Sequence, residues 1–475
     1  MANDRETLEA ASFHQPCADA APVPGLLLIY AAGGPVACAI PLVGGALEVG
    51  RSTLEGLHLD DSLMSRRHAR VTFADGRWAV ADLGSRNGTF VDGAAVEGGV
   101  AGEALRVVRA GNSLFLLVAD LRPARAAAPA DDRGLVMGAT LRAVWGRIRA
   151  AALSGPTLHI TGESGAGKEL AARAFHDLGP RASGPFVAVN CAAIPEGVAE
   201  GLLFGARKGA YSGAVADSEG YVKSAHGGTL FLDEVAELDL AVQAKLLRVL
   251  ETREVLALGA SRPQPVDVRV CSATHRDLRA EVAERRFRED LFFRLGRPHV
   301  EIPPLRQRLE EIPEHLDREL RRTSPRLRAD VSFVEACLLR RWPGNVRELL
   351  VELGEAVRVA RERGECVVGK ACLSATAGTS FAAPGEEASP AGASSSATSS
   401  TTLRARKPMP ARAAIEAALE REQGRVAAAA RALGLHRTQL RRWLEKNGVD
   451  PGRWAPAGTT LPLDEGDDEE EAGGP

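Results

Sequence analysis

Nothing in this chain narrows its fold as much as the octapeptide Gly162-Glu163-Ser164-Gly165-Ala166-Gly167-Lys168-Glu169, which follows the apolar run Thr157 to Thr161. Glycines let backbone N–H groups converge on phosphate oxygens, a helix opening there adds its positive end, and Lys168 reaches the outer phosphates. This is a phosphate-loop pattern through its lysine, and it demands strand, turn and helix in that order. Further short apolar runs (Phe186 to Asn190, Thr229 to Leu232, Val266 to Ala273) alternate with helical patterns such as Val242 to Leu250. The spacing predicts a parallel α/β sheet with ligands at its strand ends. Glu169 stands where many such loops place a Ser or Thr hydroxyl on magnesium, so the metal would rely more on Asp233, water and the phosphates.

Asp233 and Glu234 end the run Thr229 to Leu232, and adjacent carboxylates on a strand alternate in direction. Asp233 is therefore assigned to magnesium and Glu234 to polarising the attacking water. Taken alone, such a pair is an ordinary solvated strand edge. The phosphate loop upstream makes the catalytic reading the stronger one.

The chain has 475 residues, 45% hydrophobic and 25% charged, which suits several folded domains and excludes a wholly disordered or collagenous chain. No apolar run approaches the roughly 18 residues that span a bilayer. The first twenty residues contain Asp4, Glu6, Glu9 and Asp19 without an apolar stretch, so no secretory signal is expected and the reading is cytoplasmic. Cysteines 17, 38, 191, 271, 337, 366 and 372 form no C-x-x-C pair; they read as buried thiols, not a disulfide framework or zinc site. Two stretches read as linkers, residues 121–133 and 373–407, the second dominated by Ser, Ala, Thr, Gly and Pro. Folded segments are expected over 25–120, 134–372 and 408–450, with an acidic disordered tail over 451–475. The net charge of -3 hides an asymmetry, because residues 404–446 carry eleven Lys or Arg against four Asp or Glu, while residues 464–471 are acidic. A polyanionic partner fits the basic stretch.

In the first segment Val71 and Phe73 precede a turn at Asp75-Gly76, and Trp78 and Val80 follow at a spacing of two, the pattern of a half-buried hairpin. Similar turn pairs at Asn87-Gly88, Asp92-Gly93 and Gly111-Asn112 predict an all-β sandwich. The last segment places Ile415, Leu419, Val426, Ala430 and Leu433 before Gly434, then Leu435, Leu440 and Leu444, which reads as an all-α helix-turn-helix. Its second helix would display Arg437, Thr438, Gln439, Arg441, Arg442 and Lys446 to phosphates and base edges.

Across the middle segment the chain resembles the AAA+ activators of sigma-54-dependent transcription, the bacterial enhancer-binding proteins. The resemblance rests on Gly162 to Glu169, Leu203-Phe204-Gly205, Gly209 to Ala214, Gly227 to Glu234, Phe287 to Leu291, Pro303 to Arg306 and Trp342 to Leu349. It implies an α/β ATPase with a helical lid that binds ATP and Mg2+, assembles as a homo-oligomer, a hexamer, and remodels the sigma-54 RNA polymerase holoenzyme. It implies that Gly209, Ala210, Tyr211, Ser212, Gly213 and Ala214 contact sigma-54. Tyr211 keeps the ring of the family's Phe, and Ser212 keeps the hydroxyl of its Thr. Arg288 and Arg294 resemble arginine fingers that neutralise phosphoryl charge in the neighbouring subunit. Six residues apart on a regular helix they would point about 120° apart, so at least one should sit at a helix end. Arg347 resembles the second sensor arginine, and Asn190 the residue that holds the catalytic glutamate off. His275 replaces the family's sensor asparagine.

The first segment is similar to a forkhead-associated (FHA) domain through Gly50-Arg51, Ser65-Arg66-Arg67-His68 and Asn87-Gly88. That implies a phosphothreonine protein or Ser/Thr kinase as partner, with Arg51, Ser65 and Arg66 on the phosphate, Asn87 on the peptide backbone, and His68 bracing the loop. The last segment resembles a Fis-type domain, implying upstream enhancer DNA as a partner. A rival reading is a DNA-bound repressor or phospho-dependent scaffold that no longer engages sigma-54; a further one, an unfoldase or helicase, does not explain a DNA-reading tail.

Overall fold

The computed structural model describes residues 21–125, 135–195, 197–210, 216–380, 412–422, 426–433, 440, 444, 449 and 451–454. The chain divides into two units, Met1–Gly385 and Glu386–Pro475.

The first unit begins with β1 (Gly25–Ala31), β2 (Gly34–Pro41), β3 (Ala46–Val49), the short helix α1 (Arg51–Glu55), β4 (Ala69–Ala74), β5 (Arg77–Asp82), β6 (Thr89–Val91), β7 (Ala94–Ala95), β8 (Gly99–Gly102), β9 (Val107–Ala110) and β10 (Ser113–Val118). They form two sheets, β2-β1-β10-β9-β6-β7 and β3-β4-β5-β8, both antiparallel. The hairpin expected at Asp75-Gly76 joins β4 to β5, with Phe73 opposite Trp78 and their rings 4.5 Å apart. Asp75 and Gly76 both take positive φ, as a tight two-residue turn requires. Asp92-Gly93 and Gly111-Asn112 also close hairpins. Asn87-Gly88 does not: the loop between β5 and β6 carries the chain from one sheet to the other.

The larger sheet is apolar on both faces. Leu26, Leu28 and Phe115 point into the sandwich against Val71, Trp78 and Val80. Their neighbours Leu27, Ile29, Leu114 and Leu116 point the other way, into a second core shared with Leu316, Leu320, Val334 and Leu338 from the far end of the same unit. The linker expected over 121–133 is therefore anchored at its start: Leu121 is fully buried, and α2 (Arg122–Arg125) packs Ala124 against that second core.

The middle of the unit continues with α3 (Ala139–Ser154), β11 (Thr157–Thr161), α4 (Lys168–Asp177), β12 (Phe186–Asn190), α5 (Ala199–Phe204), α6 (Tyr221–Ser224), β13 (Thr229–Asp233), α7 (Leu240–Thr252), a ribbon of β14 (Glu254–Val255) and β15 (Gln264–Pro265), β16 (Arg269–Thr274), α8 (Leu278–Ala283), α9 (Glu289–Leu295) and β17 (His299–Glu301). The sheet is parallel, ordered β12-β13-β16-β11-β17. The first of these strands, β11, thus lies between the two last, and the loop that follows it opens at a crevice. The strand expected from Val266 begins only at Arg269, because Gln264-Pro265 first turns back to pair with Glu254-Val255. Helix α7 starts where Asp239 accepts the Val242 amide, and it buries Val242, Leu246 and Val249 one turn apart.

A helical lid completes the unit: α10 (Ile312–Thr323), β18 (Arg328–Ala329), α11 (Val331–Leu338), α12 (Asn345–Glu362) and β19 (Val367–Val368). The second linker was expected to open at residue 373, yet the chain stays packed beyond it. Ala377 is buried, the Gly378 amide donates to Glu348 (3.0 Å), and the Gly378 carbonyl accepts from Arg341 (3.0 Å). Among the described cysteines, Cys191, Cys271, Cys337 and Cys372 are buried and Cys38 is half-buried. Cys366 departs from the buried-thiol expectation, because it lies exposed in the bend between α12 and β19.

In the second unit α13 (Arg412–Arg421) and α14 (Val426–Ala432) bury Ile415, Leu419 and Ala430 with Leu440 and Leu444. Arg437, Thr438, Gln439, Arg441, Arg442 and Lys446 lie outside the described residues. Among those described, no helix is long and apolar enough to cross a membrane.

Candidate functional site

The phosphate loop turns out of β11 through Gly162, Gly165 and Gly167, with φ of 157°, 71° and 109°. Gly165 is also required sterically, since a Cβ there would stand 2.2 Å from the Gly344 carbonyl oxygen of the lid. Helix α4 opens at Lys168, whose Nζ donates to the Gly162 carbonyl (3.0 Å) and lies 3.2 Å from Glu234 Oε1. A cavity of about 490 Å3 opens there, lined by Ser164 to Glu169, Asp233, Glu234 and Arg347, with Val136, Met137, Leu141 and Trp145 as an apolar wall. That size and that division into polar and apolar ends fit a nucleotide. Sequence reasoning missed the apolar wall, although Leu135-Val136-Met137 just ahead of α3 was a legible signal.

Glu234 holds a left-handed backbone (φ 53°) directly after β13, which turns its carboxylate back over the strand ends. Its Oε2 accepts from the His275 ring Nδ1 (2.7 Å), the His275 amide (3.2 Å) and Thr274 Oγ1 (3.3 Å). Nδ1 must carry the ring proton to make that bond. Burial pushes the Glu234 carboxyl up, but the His275 bonds and the Lys168 charge outweigh it and leave it below the ordinary range. Burial instead raises Asp233, with Lys168 opposing and Glu234 adding to the rise. The two neighbouring carboxyls are thus driven apart, the usual condition for distinct roles. Asp233 spends Oδ1 on the Glu234 amide (3.1 Å) and lies on the cavity, a donor set that fits a cation held together with phosphates.

The lid grips the same loop. Arg306 makes a two-pronged pair with Glu163 (2.6 and 2.8 Å), Asn345 donates to Glu163 (3.1 Å) and to the Ser164 carbonyl (3.0 Å), and Arg347 donates to Ser164 Oγ (3.3 Å). Buried Arg308 bonds the Ala166 carbonyl (2.7 Å) and Glu311 (3.0 Å), and Glu311 in turn accepts the Gly138 amide (2.6 Å). The Glu163 side chain therefore belongs to the lid contact; neither it nor Gly162 lines the cavity.

At the sandwich loops, Arg51 Nε donates to the Met64 carbonyl (3.2 Å) and its Nη2 to the Ser62 carbonyl (3.2 Å). Asn87 donates to the Leu63 carbonyl (2.7 Å), and Ser65 Oγ accepts the Arg86 amide (3.1 Å). Buried His68 takes the Ser65 amide on Nδ1 (3.0 Å), which leaves the proton on Nε2 for the Gly88 carbonyl (3.1 Å). The start of α1 at Arg51 and the loops that carry Ser65-Arg66 and Asn87 are thereby brought to one end of the sandwich, with Arg66 exposed.

Residues 136–301 match the family model for the sigma-54 interaction domain, residues 47–105 that for the FHA domain, and residues 412–446 that for the Fis family of bacterial regulatory proteins. The chain thus carries an FHA domain, a sigma-54 interaction domain and a Fis-family segment, in that order. It is 46% identical over 227 residues to the response regulator protein PilR of Pseudomonas aeruginosa, covering 47% of this chain and 51% of PilR. It is 49% identical over 197 residues to the DNA-binding transcriptional regulator NtrC of Azospirillum brasilense, covering 41% of each. A crystal structure of NtrX from Brucella abortus in complex with ADP matches at 30% identity and a TM-score of 0.47, over 67% of this chain and 70% of that one. The chain spans about half the length of PilR and less of NtrC.

Within this family architecture the other expected residues are dispersed. Asn190 ends β12 beside Asp233 in register, but its side chain accepts the Ala192 amide (3.0 Å); Glu234 is held by His275 instead. Arg288 precedes α9 and pairs with Asp290 (2.7 Å), and Arg294 in the last turn donates to the Leu250 carbonyl (3.1 Å). Neither lines this chain's own cavity. Gly209 and Ala210 are described, with Gly209 at φ 80°; Tyr211, Ser212, Gly213 and Ala214 lie outside the described residues.

Proposed function

We propose that this protein hydrolyses ATP as a homo-oligomeric ring, a hexamer, in the cytoplasm and uses the cycle to remodel the sigma-54 RNA polymerase holoenzyme so that promoters open. The division into segments 25–120, 134–372 and 408–450 assigns phosphothreonine input, remodelling and enhancer-DNA tethering in that order. The observation that carries the reading is the Lys168–Glu234–His275 cluster beside a cavity built on a phosphate loop and lined in part by Arg347. Lys168 would leave Glu234 for the outer phosphates, and Glu234 would then take a proton from the attacking water. Mg2+, when bound, would offset phosphate charge, with Asp233 as its protein ligand. Arg288 and Arg294, outside their own cavity, are assigned to the neighbouring subunit's site. Gly209 to Ala214 is assigned to sigma-54, Arg437 to Lys446 to DNA, and Arg51, Ser65, Arg66 and Asn87 to a phosphothreonine peptide.

The test is ATP-dependent open-complex formation on a sigma-54 promoter by the full chain, beside Lys168→Ala and Ser212→Ala. Opening by the native chain that is lost in both variants is the expected result. Hydrolysis without opening in the native chain would remove sigma-54 as the partner and favour the repressor or scaffold reading.

A further inference from the structure

The sandwich sheet is covered on its outer face by the lid of the same chain. Leu27, Ile29, Leu114 and Leu116 share one buried core with α10 and α11. At the edges of this contact the Tyr30 hydroxyl donates to the Ala329 carbonyl (2.6 Å), and Arg109 Nε pairs with Glu335 Oε2 (2.8 Å). Glu335 is 6% exposed, and its Oε1 is buried without a hydrogen-bond partner among the described residues. A buried carboxylate with one oxygen unsatisfied contributes little net stability, so apolar burial holds the contact, while loss of Arg109 would leave the Glu335 charge buried and unpaired.

Both ends of this contact lead to a ligand site. On the sandwich side the Arg109 guanidinium lies 3.7 Å from the centroid of the Phe90 ring, and Phe90 stands three residues after Asn87, on the strand that leaves the peptide loop. On the lid side Glu335 belongs to α11. Just beyond that helix, Trp342 Nε1 donates back to the Cys337 carbonyl (2.7 Å) and the Trp342 carbonyl accepts the Asn345 amide (2.8 Å). Asn345 then holds the phosphate loop at Glu163 and Ser164. Meanwhile the side-chain bonds of Arg51, Ser65 and Asn87 stay within the sandwich, so docking leaves that end of it uncovered.

We propose that the sandwich and the lid work as one body, in which the Arg109–Glu335 contact couples nucleotide occupancy of the phosphate loop to the sandwich loops around Asn87. The coupling rests on the nucleotide and phosphothreonine readings above. It is reciprocal: whatever factor a nucleotide applies to peptide affinity, the peptide applies to nucleotide affinity. Spatial continuity is not itself coupling, so the test reads the coupling directly.

Hydrogen exchange of the full chain is measured with and without ADP. The expected result is protection at residues 162–170, with a change of about fivefold or more in exchange at residues 86–91 and 107–118. Arg109→Ala and, as the milder variant, Glu335→Gln should abolish the change in the sandwich while keeping the protection at the loop. The reversed pair, Arg109→Glu with Glu335→Arg, should restore it in part. Protection at 162–170 with no response in the sandwich overturns the coupling alone, and a response that survives both single variants overturns the route through Arg109. No protection at 162–170 sinks the nucleotide reading and the coupling together. A degenerate phosphothreonine peptide library, with its unphosphorylated form and Arg51→Ala as controls, judges the input reading separately. Failure to bind there removes phosphothreonine while the ADP response still decides the coupling.

Discussion

The two charged sites of the first unit are stabilised in opposite ways. Around the phosphate loop, charges are spent on one another: Lys168 on Glu234 and Arg306 on Glu163. At the sandwich loops the guanidinium of Arg51 is fixed by two backbone carbonyls, and Asn87 by a third. A carbonyl orients a cation without cancelling its charge, whereas a carboxylate cancels it. A ligand at the first site must therefore displace internal partners, which makes that site a two-state device. The second holds its side chains on the backbone and has little to rearrange.

That contrast can be broken at several points. The largest effect is expected from Glu234→Gln, which should lower ATP hydrolysis by about 10²–10⁴-fold while ADP affinity changes only a few-fold; turnover near the native rate would remove Glu234 from the role of base. Acid should strike the ATPase sheet next. Burial, reinforced by neighbouring His299, holds His159 down to about 4, so the fold keeps it neutral. Its contribution is complete above about pH 6.5, the unfolded value, and is lost as pH falls through about 4, a cost of about 3 kcal/mol. Urea unfolding at pH 7 and pH 4.5 should show this loss in the native chain and not in His159→Gln.

For the preset site, Arg51→Ala should weaken phosphothreonine peptide binding by about 2 kcal/mol, roughly thirtyfold, in a calorimetric titration. Stability should also fall, by about 1 kcal/mol in urea unfolding, because the Met64 carbonyl is buried and loses its donor. Unaltered affinity would take Arg51 off the phosphate. The smallest effect is expected from His275→Ala, which removes one restraint on Glu234 and should raise basal hydrolysis about threefold in steady-state assays. A fall instead would mean that His275 orients the glutamate for reaction and does not hold it back.

How much of this could be read in the sequence follows the range of the forces involved. The phosphate loop was legible because three glycines dictate a local turn, and Glu234 because it directly follows an apolar strand. The hairpin at Asp75-Gly76 was legible for the same local reason. The partner of the Glu163 side chain was not legible, since Arg306 lies 143 residues along the chain. The sheet–lid contact joins Tyr30 to Ala329, 299 residues apart, which no local pattern specifies. A trace of it was nevertheless present: Leu26 to Tyr30 and Leu114 to Val118 are continuous apolar runs, whereas a sheet with one wet face should alternate. The exposed position of Cys366 and the packing of Ser374 to Thr379 escaped notice because composition alone says nothing about what a short segment lands on.

The two-sided apolar sheet also limits how this sandwich can be exchanged in evolution or engineering. A conventional sandwich can be cut at its connecting segment and grafted onto another regulator, because only its loops meet its surroundings. Here the same cut would bare Leu27, Ile29, Leu114 and Leu116 to water on the graft and leave a matching apolar scar on the acceptor. The transferable cassette is discontinuous in the chain: it must pair residues 25–125 with the lid surface from Leu316 to Leu339.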